Sequence, residues 1–265
     1  MTEAGAEIGV IGGSGFYAFL EDTETVEVET PFGAPSAPIT IGAVGDRTVA
    51  FLARHGTDHR FPPHEVPYRA NLWALKELGV ARVFGPCAAG SLRKEISPRT
   101  LVVSDQAIDF TKSRPNTFYD GPQTTHVSFA DPYCPTLRET LVKSAASQGI
   151  EHRDGGTMVV IEGPRFSTIA ESRMYAQLGA DGIGMTQFPE VTLARELELC
   201  YANVALVTDY DVGVDDILPV THEEVLKVFG ENIDKVRDLL SAAIPEVPTE
   251  RTCPCATALA DTGNG

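Results

Sequence analysis

The segment from Tyr68 to Ser91, YRANLWALKELGVARVFGPCAAGS, contains a helix, a strand and a ligand-type loop in direct succession. Its first part repeats apolar residues at helical spacing and reaches Gly79, a residue type that commonly follows a helix end. The short, mainly apolar run Val80–Phe84 is typical of a strand buried on both faces. The small residues of Pro86–Ser91 would let a ligand lie against backbone amides. This segment therefore predicts one helix–strand unit of an α/β fold.

The same alternation continues along the rest of the chain. Short apolar runs, most of them rich in β-branched residues, are separated by segments with helical periodicity. We therefore predict a three-layer α/β domain over residues 1–248, with a central mixed, partly parallel sheet flanked by helices. Residues 249–265 are expected to form a flexible tail. The other strand-like runs are Ile8–Ile11, Val49–Leu52, Leu101–Val103, Met158–Ile161 and Val204–Val207, and the other helix-like segments are 135–148, 167–178, 189–199 and 222–243.

Composition narrows the class of function. The chain carries 21 Lys and Arg against 37 Asp and Glu, a net charge of −16, and no local run of basic residues. A nucleic-acid partner is therefore not expected, because the phosphate backbone would be repelled. The sequence contains no stretch typical of a membrane helix or a signal peptide, so no membrane partner is expected either. Five cysteines without a disulfide-type spacing favour the reducing cytoplasm.

Two segments place anion-binding residue types directly after predicted strands. The Gly-rich sequence Gly12-Gly-Ser-Gly15 can present backbone amides and the Ser14 hydroxyl to a phosphate. It also fits a loose dinucleotide-binding pattern, but the helix that should follow is too short, and an ordinary tight turn remains an alternative. Arg54 and His55 end another strand, where ligands gather in open α/β sheets. We interpret Cys87 as a small buried residue rather than a catalytic thiol.

A pair of carboxylates follows the strand at 204–207. Asp209 and Asp211 are two residues apart, so an extended backbone places them on one side. They could perform acid–base chemistry, bind a metal or accept hydrogen bonds from a heterocycle, and a solvated acidic loop remains an alternative. We discount a metal here because the spacing fits no calcium loop. Cys253 and Cys255 form only a two-thiol pair, which does not make a zinc site, so we expect no metal there either.

The segments taken together resemble the trimeric purine nucleoside phosphorylase superfamily, and within it the branch that acts on S-methyl-5′-thioadenosine. The resemblance extends from about residue 7 to residue 248, with the motifs in the same order. It implies phosphorolysis of a purine nucleoside at C1′ with no cofactor, since inorganic phosphate is the co-substrate. The motifs are Gly12-Gly-Ser-Gly15, Thr30-Pro-Phe-Gly33, Ala53-Arg-His-Gly56, Ala70–Leu75, Gly90-Ser-Leu92, Gly156-Thr-Met158, Ile161–Phe166, Gly184-Met-Thr186, Pro189-Glu190 and Thr208-Asp-Tyr-Asp211.

The resemblance also implies roles for individual residues. Asp209 and Asp211 would hydrogen-bond the purine at N7 and the 6-amino group, with Tyr210 between them also at the substrate. Aspartate at 209, where relatives specific for 6-oxopurines resemble one another in carrying Asn, favours adenine. The remaining implied contacts are Ser14, Arg54, His55, Cys87, Ala88 and Thr186 around phosphate, Met185 at the ribose and Phe166 against the purine.

Several positions depart from the family pattern and leave the 5′ substituent open. His222 resembles a residue that faces a 5′-hydroxyl in purine nucleoside phosphorylases, which makes adenosine or another 5′-hydroxyl nucleoside the alternative substrate. An ordinary residue at a helix N-terminus is an equal interpretation of His222. His126 and Phe129 lie in a segment that resembles the one by which a neighbouring subunit completes the 5′ pocket. We therefore expect a homotrimer, and a dimer of trimers is the alternative assembly. A non-catalytic nucleoside-binding protein is a remote alternative. Gly184, Gln187, Phe188 and Cys87 also differ from the residues common at their positions.

Overall fold

The computed structural model describes residues 5–13, 20–122, 124–212, 214 and 221–260 of this chain. Within these residues strands and helices alternate, and the predicted α/β class with mixed sheets is confirmed. The strands form two mixed sheets in place of a single central one. The strands are β1 (Ile8–Gly12), β2 (Glu21–Val26), β3 (Ile39–Val44), β4 (Arg47–Ala53), β5 (Arg82–Phe84), β6 (Cys87–Ser91), β7 (Leu101–Val103), β8 (Gln106–Phe110), β9 (His152–Asp154), β10 (Thr157–Ile161), β11 (Gly182–Gly184), β12 (Cys200–Ala202) and β13 (Val204–Tyr210). The helices are α1 (Tyr68–Glu77), α2 (Pro135–Ser147), α3 (Ile169–Gln177), α4 (Gln187–Glu196) and α5 (His222–Ala243).

The first sheet has the strand order β12-β5-β1-β4-β3-β2. Its central strand β1 is buried along its whole length and pairs in parallel with β4 and β5. Parallel pairing brings the carboxyl ends of β1 and β4 to the same edge, so that Gly13 and Arg54 leave the sheet side by side. This edge forms one side of the candidate site.

The second sheet has the order β8-β10-β11-β6-β13-β7-β9. It is continuous with the first because β5 leads into β6 through Gly85–Pro86, and β12 leads into β13 through Asn203. The Asn203 side chain donates to the Gly85 carbonyl at 2.6 Å. This hydrogen bond links the two places where the chain passes from one sheet to the other. A Cβ at residue 85 would lie 2.1 Å from the Tyr201 hydroxyl oxygen, so only glycine fits there. The crossing is therefore tightly packed, and the candidate site lies beside it.

Helix α5 carries one continuous apolar stripe, as its sequence periodicity predicts. Its C-terminal half buries Val236, Leu239 and Leu240 in the main core. Its N-terminal half places Val225 and Phe229 against the candidate site instead. The helix thus fixes one wall of the site to the core of the domain.

The segment predicted as a flexible tail packs against the body as far as Leu259, whose amide donates to the Glu198 carboxylate at 3.2 Å. Arg82 donates to the carbonyls of Pro248 and Thr249, and Arg251 donates to the carbonyl of Glu198. A short 3₁₀-helix follows at Pro254–Thr257, and residues 261–265 lie outside the described residues. No described helix has the length and apolar character needed to cross a bilayer.

Candidate active site

A cavity of about 770 Å³ lies where the edge of the first sheet meets the second sheet. It collects loops that follow β1, β4, β10 and β11, the strand β6, the end of β13 and the N-terminal half of α5. The fold therefore brings together segments that are up to about two hundred residues apart in sequence. The predicted site residues that line this cavity are Arg54, His55, Cys87, Ala88, Phe166, Met185, Thr186, Asp209 and Asp211.

Arg54 is held by a buried ion pair. Its Nε and Nη2 both donate to the carboxylate of Glu190, while Nη1 and Nη2 also donate to the carbonyls of Pro86 and Ile11 at 2.9 and 2.8 Å. Burial alone would lower its pKa, but the Glu190 carboxylate holds that pKa above its ordinary value. Among the described residues these bonds leave one Nη1–H for a ligand. Arg54 therefore brings a fixed positive charge and a single donor to the cavity.

His55 is neutral in this environment. Burial is the largest cause that lowers its pKa to about 4, and the neighbouring Arg54 charge lowers it further. Its Nδ1 lies 2.8 Å from the carbonyl oxygen of Phe61. Because a carbonyl only accepts, Nδ1 must carry the proton, which makes Nε2 an acceptor. His55 therefore suits a ligand that offers a hydroxyl proton, such as protonated phosphate.

Cys87 lies in a buried polar network rather than beside a base. Its sulfur accepts hydrogen bonds from Asn203 at 3.2 Å and from Gln187 at 3.8 Å. Gln187 in turn accepts from the Tyr133 hydroxyl and donates to Asn203 at 2.9 Å. Burial raises the pKa of the Cys87 thiol, which favours the unreactive protonated form. The geometry agrees with a structural thiol at the cavity wall.

The two predicted carboxylates lie together at the end of β13. A β-bulge between Val207 and Asp209 shifts the register there, and both Asp209 and Asp211 line the cavity. Asp209 accepts from the Thr208 hydroxyl at 2.6 Å, and a Cβ at Gly90 would lie 2.9 Å from its Oδ1. Glycine at position 90 therefore leaves room for this carboxylate.

Asp211 differs from an exposed carboxylate in its ionisation. It is 3% exposed, and its Oδ2 is buried with no hydrogen-bond partner among the described residues. Burial raises the pKa of Asp211, although hydrogen bonds from Ser172 and the Val212 amide oppose the shift. The pair thus contains one carboxyl that retains a proton more readily than usual.

The rest of the cavity wall is largely apolar. Phe166 and Met185 face it from the loops after β10 and β11, and α5 adds a row of apolar side chains. The buried Arg114 fixes these loops by donating to the carbonyls of Met185 and Glu162, each at 2.6 Å. The α5 side chains are Val225, Leu226, Phe229 and Ile233.

Some predicted site residues lie elsewhere. Tyr210 does not line the cavity in the described structure, and its hydroxyl donates to the Lys94 carbonyl at 3.2 Å. His126 is exposed, and Phe129 packs 6.1 Å from the ring of Phe188. Two further predicted residues are not described. Ser14 lies outside the described residues, as does the side chain of His222 at the start of α5.

Several residues that shape the site carry no clear sequence signal. The Arg54–Glu190 pair joins positions 136 residues apart, and Arg114 donates to backbone carbonyls 47 to 74 residues away. The His59 ring stacks on the His55 ring, with 4.5 Å between the ring centroids. His59 also lines the cavity, but no sequence motif marks it. The apolar stripe of α5 was visible, but periodicity alone cannot separate a core-facing half from a site-facing half.

Comparisons with known proteins agree on the family. The sequence matches the model of the phosphorylase superfamily over residues 7–245. It is 58% identical to S-methyl-5′-thioadenosine phosphorylase of Thermococcus kodakarensis, over 95% of this chain and 97% of the relative. It is also 53% identical to a purine nucleoside phosphorylase of Streptomyces coelicolor, over 96% and 94%. The solved structure of methylthioadenosine phosphorylase from Schistosoma mansoni in complex with adenine superposes with a TM-score of 0.92 at 34% identity, covering 98% of this chain and 99% of that one.

Proposed function

This chain belongs to the phosphorylase superfamily, and from that premise we propose the reaction of its cavity. Phosphate displaces adenine from C1′ of S-methyl-5′-thioadenosine, reversibly, to give adenine and S-methyl-5-thio-α-D-ribose 1-phosphate. The observation that carries this proposal is the cavity of about 770 Å³, which joins Arg54 and His55 to the Asp209–Asp211 pair and the apolar face of α5. One cavity can thus hold an anion, a sugar and a base in line.

The phosphate end is proposed to lie at Arg54, His55 and Thr186, with Cys87 and Ala88 at its wall. Arg54 supplies a charge that cannot move, because Glu190 and two carbonyls hold its guanidinium. The neutral His55 offers Nε2 to a phosphate hydroxyl, which orients the remaining oxygens toward C1′. Such fixed positioning lowers the barrier without a protein nucleophile, since phosphate itself attacks C1′. The reaction as proposed needs no cofactor.

The base end is proposed to lie at Asp209 and Asp211. As the C1′–N9 bond breaks, its electron pair remains on the purine, and N7 gains basicity. A protonated carboxyl of the pair donates to N7, and an ionised carboxyl accepts from the 6-amino group. The raised pKa of Asp211 supports this residue as the carboxyl that carries the proton. Phe166 is placed to pack against the base, and Met185 to contact the ribose.

The 5′ end is proposed to face α5. Val225, Leu226, Phe229 and Ile233 offer no hydrogen bond to a 5′-hydroxyl but can pack against a thiomethyl group. The alternative is a purine nucleoside phosphorylase acting on adenosine or other 5′-hydroxyl nucleosides. His222 at the first position of α5 and the similarity to the Streptomyces coelicolor relative favour that alternative.

We propose a cytoplasmic homotrimer, which could pair into a dimer of trimers. Exposed His126 and half-buried Phe129 lie in the long irregular segment between β8 and α2. Irregular segments of this length commonly serve binding. In the trimer these two residues would complete the 5′ end of a neighbouring subunit's cavity.

The test is product analysis with the purified protein. Incubation with S-methyl-5′-thioadenosine should release adenine, and ³¹P NMR should show a sugar 1-phosphate in equal amount. Omitting phosphate should abolish both products. Adenine release at the same rate without phosphate would mean hydrolysis, and the proposed role of the phosphate end would be wrong.

A further inference from the structure

Four of the five cysteines meet at one point in the fold. The sulfur atoms of Cys134, Cys200, Cys253 and Cys255 all lie within 4.8 Å of one another. Cys134 precedes α2, Cys200 begins β12, and the other two flank and enter the 3₁₀-helix at Pro254–Thr257. None of the four lines the cavity described above. The cluster is therefore separate from the proposed phosphorylase site.

We propose that these four thiolates hold one Zn²⁺ ion. Zinc–sulfur bonds of about 2.3 Å in a tetrahedron place the sulfurs about 3.8 Å apart. The observed set fits that size, with Cys200 and Cys253 sulfurs 3.3 Å apart and every pair within 4.8 Å. The sequence alone offered only Cys253-Pro-Cys255, which cannot make a zinc site, and folding supplies the other two ligands. Four protein ligands leave no open position, so the ion is structural.

The segments that carry the thiols are fixed by their own hydrogen bonds. The Cys134 amide donates to the Tyr201 carbonyl at 2.8 Å, and the Cys200 amide donates to the Ala81 carbonyl at 3.0 Å. Arg251 anchors the C-terminal segment by donating to the Glu198 carbonyl. The ligand set is thus held in place by the body of the domain before any ion binds.

The surroundings suit the charge of such a centre. Zinc binding releases four thiol protons to solvent, and the resulting Zn(Cys)₄ unit carries a net charge of −2. Arg251 interacts electrostatically with Cys200, and its Nε is buried without a hydrogen-bond partner among the described residues. A thiolate sulfur is a suitable acceptor for such a donor. The ion would tie residues 253–255 to α2 and β12.

The experiment is metal analysis of the full-length protein, purified without chelator and dialysed. We expect about one zinc per chain. Cys255→Ser should lose the zinc, whereas Cys87→Ser, which changes the one cysteine outside the cluster, should keep it. Cobalt added after zinc removal should give a near-ultraviolet thiolate-to-metal charge-transfer band in the wild type and a clearly weaker band in Cys255→Ser, which has lost one thiolate.

Thiol titration separates zinc from the chief alternative, a pair of disulfides. In denaturant with chelator and without reductant, the wild type should show all five thiols. One thiol, together with an intact mass lower by four hydrogens, would mean two disulfides and overturn the proposal. A metal content far below one, or iron in place of zinc, would also overturn it. If Cys255→Ser does not fold, removal of zinc from the wild type should lower Tm and its return restore it; an unchanged Tm would contradict a structural ion.

Discussion

Replacing Glu190 by Gln should destabilise the protein and impair phosphate use at the same time. Glu190 is 0% exposed and accepts hydrogen bonds from Arg54 Nε, from Arg54 Nη2 at 3.0 Å and from the Tyr201 hydroxyl at 2.8 Å. Gln keeps the shape but removes the charge, which leaves the 2%-exposed Arg54 cation uncompensated. Breaking one partner of a buried pair costs about 3–5 kcal/mol.

This cost should be visible in a thermal melt. At about 2–4 °C per kcal/mol for a chain of this size, Tm should fall by roughly 6–20 °C. Glu196→Gln is the matched control, because Glu196 lies on the same helix and is 6% exposed, with only the Thr117 hydroxyl and the Phe118 amide as hydrogen-bond partners in the described structure. Its variant should lose about 1 kcal/mol.

Kinetics distinguish a positioning role from a purely structural one. In Glu190→Gln the KM for phosphate should rise more than the KM for the nucleoside, since the Arg54 donor is no longer fixed. The double variant Arg54→Met/Glu190→Leu should recover much of the stability, because apolar residues can replace a buried pair, but not the phosphate affinity. A Glu190→Gln protein with wild-type Tm and phosphate KM would refute this account of the pair.

Three further predictions concern ionisable residues of the cavity. Asp209→Asn should lower kcat/KM for adenine nucleosides by about tenfold or more, since a hydrogen bond to a charged group is worth about 1.5–3 kcal/mol. The variant should also raise the ratio of kcat/KM for inosine to kcat/KM for adenosine, and an unchanged ratio would count against the assignment. Asp211 holds its proton to higher pH than an exposed carboxyl, so kcat/KM should decline as pH rises through that raised pKa, and a wild-type pH profile in Asp211→Asn would rule Asp211 out as the donor. The pKa of His55 is lowered to about 4, so the unfolded chain binds more protons between about pH 6.5 and 4, and unfolding free energy should fall by about 3 kcal/mol over that window on acidification. Denaturant titrations should show that the unfolding free energy of His55→Gln falls less steeply with acidification than that of the wild type. Equal pH dependence in the two proteins would contradict a neutral, buried histidine.

Features set by local sequence were predicted well. The apolar stripe gave α5 as residues 222–243, the span that the structure shows. Buried strands such as β1 and β4 are apolar along most of their length and stand out for the same reason. The exposed edge strand β2, with the sequence EDTETV, carries no such signal and was not predicted over its full length.

Features set by long-range contacts could not be predicted. The close approach of Gly85 to Tyr201 lies at the crossing between the two sheets, and the fixed orientation of Arg54 depends on Glu190. Most of the cavity could be assembled in advance because an ordered set of motifs resembles one family. The cysteine cluster was missed, since its members come from three separate segments.

The most direct test of the proposed function is a comparison of kcat/KM for S-methyl-5′-thioadenosine and adenosine at saturating phosphate. An unpartnered hydroxyl buried against the α5 wall costs about 1–3 kcal/mol, so S-methyl-5′-thioadenosine should be favoured roughly 5- to 150-fold. Val225→Thr, which adds a hydroxyl to that wall, should narrow the ratio, whereas Val228→Thr, outside the described cavity, should leave it unchanged. Equal values for the two nucleosides, or a preference for adenosine, would contradict the account and favour the 5′-hydroxyl alternative.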